Sequence, residues 1–201
     1  MRPTVEDLQA IWLFTYSRAA FIDATEFLGE LDKAEAKSLL HRALVDAAIV
    51  AYVRPFKSCY LPPERKRVVP LEGVLPPEHL AEAHKHALDL RDTVIGHTDA
   101  TPAKGYTITM NRVPVGIGDD LSLNSIMIAE MPPRLKKELG ELCAHFRKHC
   151  EANLSRLRKQ YLSEFIQHAP GKYELVICEP PAAWLIPWTI KHGDDFREQP
   201  D

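Results

Sequence analysis

Apolar residues recur at spacings of three and four along four stretches of this chain, which is the period of helices that bury one stripe. From Asp7 to about Glu30 the stripe is Leu8, Ile11, Trp12, Thr15, Ala19 and Ile22, with a break near Gly29. From Asp32 to about Val53 it is Leu39, Leu40, Ala43, Leu44, Ala47, Val50 and Ala51, and Pro55 ends it. The third stretch, Glu78 to Ile95, opens after Pro76–Pro77, carries Leu80, Ala83, Ala87, Leu90 and Val94, and stops at Gly96. The fourth, Arg134 to about Gln167, follows Pro132–Pro133 and carries Leu135, Leu139, Leu142, Phe146, Leu154, Leu157, Tyr161 and Phe165. At 1.5 Å per residue that helix is about 50 Å long, more than one small domain needs, so its end is expected to reach another subunit.

The period changes between residues 104 and 130. Tyr106–Met110 alternates and Leu121–Met127 alternates more loosely, with Gly116–Asp120 between, which predicts a β-hairpin insert. Ser58–Pro77, with five prolines and the charged run Glu64–Arg65–Lys66–Arg67, reads as a solvated loop whose cations could touch phosphate. A tail over 172–201 holds one more candidate strand, Tyr173–Cys178, then Trp184, Leu185, Ile186 and Trp188, expected to pack on the chain's own core. The fold class is therefore mainly α: an antiparallel helical bundle with a small β-hairpin insert, one domain over 1–201. A chain of this length needs no disulfide or metal staple, and its 45% apolar residues exclude global disorder.

Charge narrows the function. Lys plus Arg number 25 and Asp plus Glu 28, a net charge of −3, so a nucleic-acid ligand requires cations that gather locally or a transient encounter. Cys59, Cys143, Cys150 and Cys178 form no CxxC pair, and Met1–Asp7 lacks an apolar signal core. Reduced thiols in a cytoplasm, with no membrane span, are the expectation.

The segment with most chemical content is Arg91–Asp92–Thr93–Val94–Ile95–Gly96–His97. On a regular helix Arg91 and His97 would lie about 120° apart, but Gly96 lets the helix end and the imidazole swing back toward Arg91. Arginine holds phosphate oxygens bidentately, and histidine titrates near neutrality and can move a hydroxyl proton. Asp92 and Asp99 flank the pair and could orient either cation. Arg54, after a helix and before Pro55, is a weaker phosphate-binding candidate or a helix-dipole partner. His41, His84 and His86 read as surface or capping residues.

Arg91 to His97 resembles the R-x4-6-H motif of the HEPN superfamily (higher eukaryotes and prokaryotes nucleotide-binding domains), with Asp92 as the polar residue that often follows the arginine. Leu88–Arg91 through His97–Asp99 is similar to bacterial members carrying an LRNKxxAHxD-type segment, as are Arg42–Leu44 and Ala51–Phe56. The likeness covers roughly residues 5 to 100 and, more weakly, the long helix. It implies a helical bundle, often a homodimer in which two motifs meet to form one site. Many members are metal-independent endoribonucleases of toxin–antitoxin, phage-defence or RNA-processing systems. Arg91, His97 and Asp92 would then be the catalytic residues and Arg54 and Asp99 would contact substrate. RNA, and an antitoxin or nucleotidyltransferase, would be the partners, without a cofactor. Other members keep the fold as non-catalytic nucleotide-, RNA- or protein-binding modules.

A second constellation, Cys143, His145, His149 and Cys150, has metal-ligand spacing, but its cysteine and histidine pairs point in different directions. The cysteines are expected to border the core and the histidines a solvated face, with no metal.

Overall fold

The computed structural model describes residues 3–36, 38–61, 65–92, 115–117, 121–123, 131–167, 171, 173–175, 177 and 185–187. Helix α1 runs Val5–Glu30, α2 Leu39–Val53, α3 Ala81–Leu90, α4 Pro133–Gln160 and α5 Leu162–Phe165. Short 3-10 turns at Arg54–Phe56 and Glu78–Leu80 follow α2 and precede α3. Among the described residues three antiparallel strand pairs accompany them: β1 Cys59–Leu61 with β2 Lys66–Val68, β3 Val115–Ile117 with β4 Leu121–Leu123, and β5 Tyr173–Leu175 with β6 Leu185–Pro187. The chain is mainly helical, and no helix among the described residues is long and apolar enough to cross a membrane.

Helices α1 and α4 run antiparallel along their whole lengths. Asp7 accepts a hydrogen bond from Tyr161 at 2.5 Å, Phe14 faces His149, Arg18 pairs with Glu151, Phe21 stacks on Phe146, and Asp32 just beyond α1 pairs with Lys136. Each step forward in α1 is a step back in α4. The 28 residues of α4 span about 42 Å, and α1 with 26 residues matches it. The long helix is thus partnered within the chain by a helix of similar length. Its regular winding ends at Gln160, and α5 is a separate single turn.

Helix α1 is started by a capping box: Thr4 Oγ1 accepts from the Asp7 amide, and the Asp7 carboxylate accepts from the Thr4 amide. The second helix begins at Leu39, capped by Ser38, rather than at Asp32, because Leu31–Ala36 winds into turns.

The buried faces of α1 and α2 are rotated from the expected stripes. In α1 they are Leu8, Ser17, Ala20, Phe21, Ala24 and Leu28, while Trp12 is exposed. In α2 they are Val45, Ala48, Ile49 and Ala51–Val53, while Leu39 and Leu40 stand in solvent. Both helices are apolar on more than one face, so a three-and-four spacing can be drawn through several stripes. Of the expected α3 and α4 stripes, Leu80, Ala83, Ala87, Leu90, Leu135, Leu139, Leu142, Phe146, Leu157 and Tyr161 are buried and Leu154 is partly buried, while Val94 lies outside the described residues.

Ser58–Pro77 is not wholly a loop. Its ends pair as β1–β2 in the register Cys59–Val68, Tyr60–Arg67 and Leu61–Lys66, and Leu61 and Leu71 are buried. In the insert, Val115–Ile117 pairs with Leu121–Leu123, so Gly116 lies in a strand rather than a turn. Tyr106–Met110 lies outside the described residues. The tail strand at Tyr173 pairs with Leu185–Pro187, and Tyr173 and Leu185 line a cleft of about 420 Å³ against α1 and α4.

One ring cluster joins the elements. Phe146 stacks on Phe21 at 5.6 Å and meets Phe56 edge-on at 4.9 Å and Tyr52 at 6.4 Å. His84 completes it, 4.7 Å from Phe56 and 5.7 Å from Phe146. These five rings come from α1, α2, the first 3-10 turn, α3 and α4, and their packing fixes where the end of α3 lies.

Candidate functional site

Helix α3 loses its α-helical winding at Arg91–Asp92, which coil as a wider π-type turn. This turn presents both side chains at the surface, each about four-tenths exposed. Arg91 Nη1 donates to Asp92 Oδ1 at 3.1 Å, and Lys57, one residue past the first 3-10 turn, donates through Nζ to Oδ2 at 2.5 Å. The two carboxylate oxygens are therefore divided between two cations from distant parts of the chain. Among the described residues, Nη1 is the Arg91 nitrogen that this pairing occupies.

Burial pushes the Asp92 carboxyl up, but the hydrogen bonds and charges of Lys57 and Arg91 outweigh it and hold the group below its ordinary value. Asp92 is thus a fixed anion at neutral pH. It sets the orientation of the guanidinium without consuming its whole donor fork.

Phe56 and Lys57 carry this arrangement together: Phe56 packs on His84 while Lys57 reaches Asp92. His84 Nδ1 lies 2.6 Å from the Tyr52 hydroxyl, and the imidazole is half-buried among Tyr52, Phe56 and Phe146. This corrects the reading of His84 as a surface or capping residue. Burial lowers its pKa below the usual histidine value and raises that of Tyr52. On a helix seven residues make nearly two full turns, so His84 sits on the α3 face that leads to Arg91.

A pH dependence follows. A histidine whose folded pKa is depressed leaves stability complete above its unfolded value of about 6.5 and lost as pH falls toward the folded value. Wild-type protein is expected to unfold at lower denaturant at pH 5.5 than at pH 7.5. His84→Gln should flatten that difference, and an unchanged pH dependence would count against the buried neutral imidazole.

The other expected site residues divide. Arg54 caps α2 and is exposed; its charge acts on Tyr16 of α1, and it makes no hydrogen bond or ion pair with Asp92. His97 and Asp99 lie outside the described residues. Lys57, His84 and Tyr52 join the site although no motif in the sequence marks them.

At the second constellation, Cys143 and Cys150 are buried, and burial pushes their thiols up to about 12 and about 11. His145 is exposed, and His149 packs on Phe14 with Asn153 beside its ring. The cysteines face the core and the histidines do not join them. Among the described residues no three His, Cys, Asp or Glu side chains gather as metal ligands.

Comparison with protein-family models, with curated proteins and with solved structures finds no match.

Proposed function

We propose that the chain is a metal-independent endoribonuclease of HEPN type, with Arg91 and His97 as its catalytic pair and Asp92 as the anion that orients Arg91. The observation that carries this reading is the half-exposed Arg91 at the end of α3, its guanidinium aimed by a carboxylate that Lys57 also grips. A fixed arginine suits phosphodiester cleavage because it binds two phosphate oxygens and stabilises charge that grows in the transition state. His97 takes the proton of a ribose 2′-hydroxyl. The 2′-oxygen then bonds to the adjacent phosphorus, the 5′-oxygen leaves with a proton, and a 2′,3′-cyclic phosphate remains. Lys57 adds positive charge beside the phosphate. Exposed Leu39 and Leu40 offer an apolar face to a second copy.

The test is incubation of a mixed RNA pool with purified protein in EDTA. Cleavage leaving 2′,3′-cyclic phosphate ends is the expected result. Intact RNA beside a well-folded protein would overturn the reading.

A second reading, a non-catalytic HEPN-like binding module, draws on the same cluster. Lys57–Asp92–Arg91 also clasps the end of α3 to the segment after α2, which is a structural task sufficient by itself.

A further inference from the structure

A chain of net charge −3 binds RNA most readily where its cations gather, and residues 54–67 are one place where they do. Residues 54–67 carry Arg54, Lys57, Arg65, Lys66 and Arg67 against Glu64 alone, four positive charges net. Aromatic rings adjoin this segment. Trp12 and Tyr16, one turn apart on α1, stack with centroids 5.0 Å apart and planes 7° from parallel, and Trp12 is 37% exposed. The 3-10 turn that starts at Arg54 packs on α1, and the Arg54 charge reaches Tyr16.

On hairpin β1–β2, Cys59 and Leu61 face inward and Tyr60 faces out, 60% exposed. Arg67 stands opposite Tyr60 in the ladder, and the Arg65 guanidinium lies 5.6 Å from the Tyr60 ring centre. Arg65 reaches that place from a left-handed backbone, φ 56°, an unusual conformation for a residue with a side chain. Arg54 and Lys57 are the two ends of the same turn, and Lys57 is bound to Asp92 beside Arg91. Rings on α1 and the hairpin and the cations of residues 54–67 thus belong to adjoining elements.

We propose that this surface binds single-stranded RNA, with bases stacked on Trp12 and Tyr60 and phosphates held by Arg54, Arg65 and Arg67. Stacking on open aromatic faces requires unpaired bases, which a duplex withholds in its narrow groove, whereas cations alone would accept either form. That the strand leads to Arg91 rests on the ribonuclease reading; the binding surface itself does not.

The test uses the full chain and a fluorescein-labelled 2′-O-methyl oligouridylate 12-mer, which cannot be cleaved because its attacking hydroxyl is blocked. Fluorescence anisotropy is expected to show the 12-mer bound more tightly than a duplex of equal length. Trp12→Ala with Tyr60→Ala should weaken binding about tenfold or more, while Trp12→Phe with Tyr60→Phe keeps it near wild type. Arg54→Gln with Arg65→Gln should shallow the salt dependence by about 0.7 in log–log slope for each phosphate no longer neutralised. These side chains are exposed or at the surface, and a thermal melt confirms that each variant folds. No binding of the 12-mer, equal binding of duplex, or affinity indifferent to removal of the rings overturns the proposal. Ring-dependent binding without RNA cleavage would leave this surface standing and remove only the ribonuclease reading. Cleavage with ring-independent binding would do the reverse.

Discussion

On the ribonuclease reading, Arg91→Ala is expected to lower the rate of RNA cleavage by about 10²–10³-fold, the usual cost of removing one group that binds developing charge in a transition state. The loss should fall on the chemical step and survive saturating RNA. Stability should barely change, because the Arg91–Asp92 pair is near four-tenths exposed on both sides and such pairs contribute about 0–1 kcal/mol. Arg91→Lys keeps the charge but not the planar fork, so it should recover only part of the activity. Asp92→Asn should act more weakly than Arg91→Ala, since it loosens the guanidinium without removing it. His97→Ala should match Arg91→Ala if the two act as one pair. The rate constant from single-turnover cleavage, read beside a thermal melt, decides the matter. An Arg91→Ala protein that cleaves like wild type but melts lower would assign Arg91 to the clasp with Lys57 and favour the binding-module reading.

Arg91 and Asp92 were legible in the sequence because they are neighbours in a motif. Their partner was not. Lys57 lies 35 residues from Asp92, in a stretch whose prolines and charges read as open loop. What brings it there is tertiary: Phe56 must enter the ring cluster, and Lys57 is carried along to the surface. His84 was hidden in the same way. Leu80 and Leu88, four residues to either side, place it on an apolar face, but the rings that enclose it, Tyr52, Phe56 and Phe146, stand 28 to 62 residues away.

The helices themselves were legible as helices, because a period of three and four persists through any choice of stripe. Which stripe is buried was readable in α3 and α4, where polar residues fill the opposite face. In α1 and α2 it was not. Alanine and large apolar residues occur all round these helices, and the buried side is chosen by what packs against it. Trp12 illustrates this: it fits the expected α1 stripe, yet the structure turns it outward to stack on Tyr16. The β1–β2 hairpin escaped because each strand is three residues long and one holds Lys66–Arg67. Its single strong signal, Leu61 facing the core, is too short a pattern to stand against Pro62 and Pro63.

Phe146→Ala should be among the most destabilising substitutions in the chain, at about 3–5 kcal/mol. Phe146 is fully buried and touches Phe21, Tyr52, Phe56 and His84, so its loss opens a void where α1, α2, α3 and α4 meet. Rings on that void cannot collapse together, because each is anchored to a different element. For a domain of this size, in which 1 kcal/mol moves the melting temperature by about 2–4 °C, the expected drop is about 6–20 °C. Phe146→Leu keeps most of the volume and should cost much less. Leu40→Ala, at a site 60% exposed, should change stability by less than about 0.5 kcal/mol. The cluster also sets the end of α3, so on the ribonuclease reading Phe146→Ala protein held below its melting temperature should lose RNA cleavage beyond its unfolded fraction. Urea titrations paired with cleavage rates would separate the two effects. A melting temperature within about 2 °C of wild type would mean that the five rings do not hold the helices together, and that the position of Arg91 has another cause.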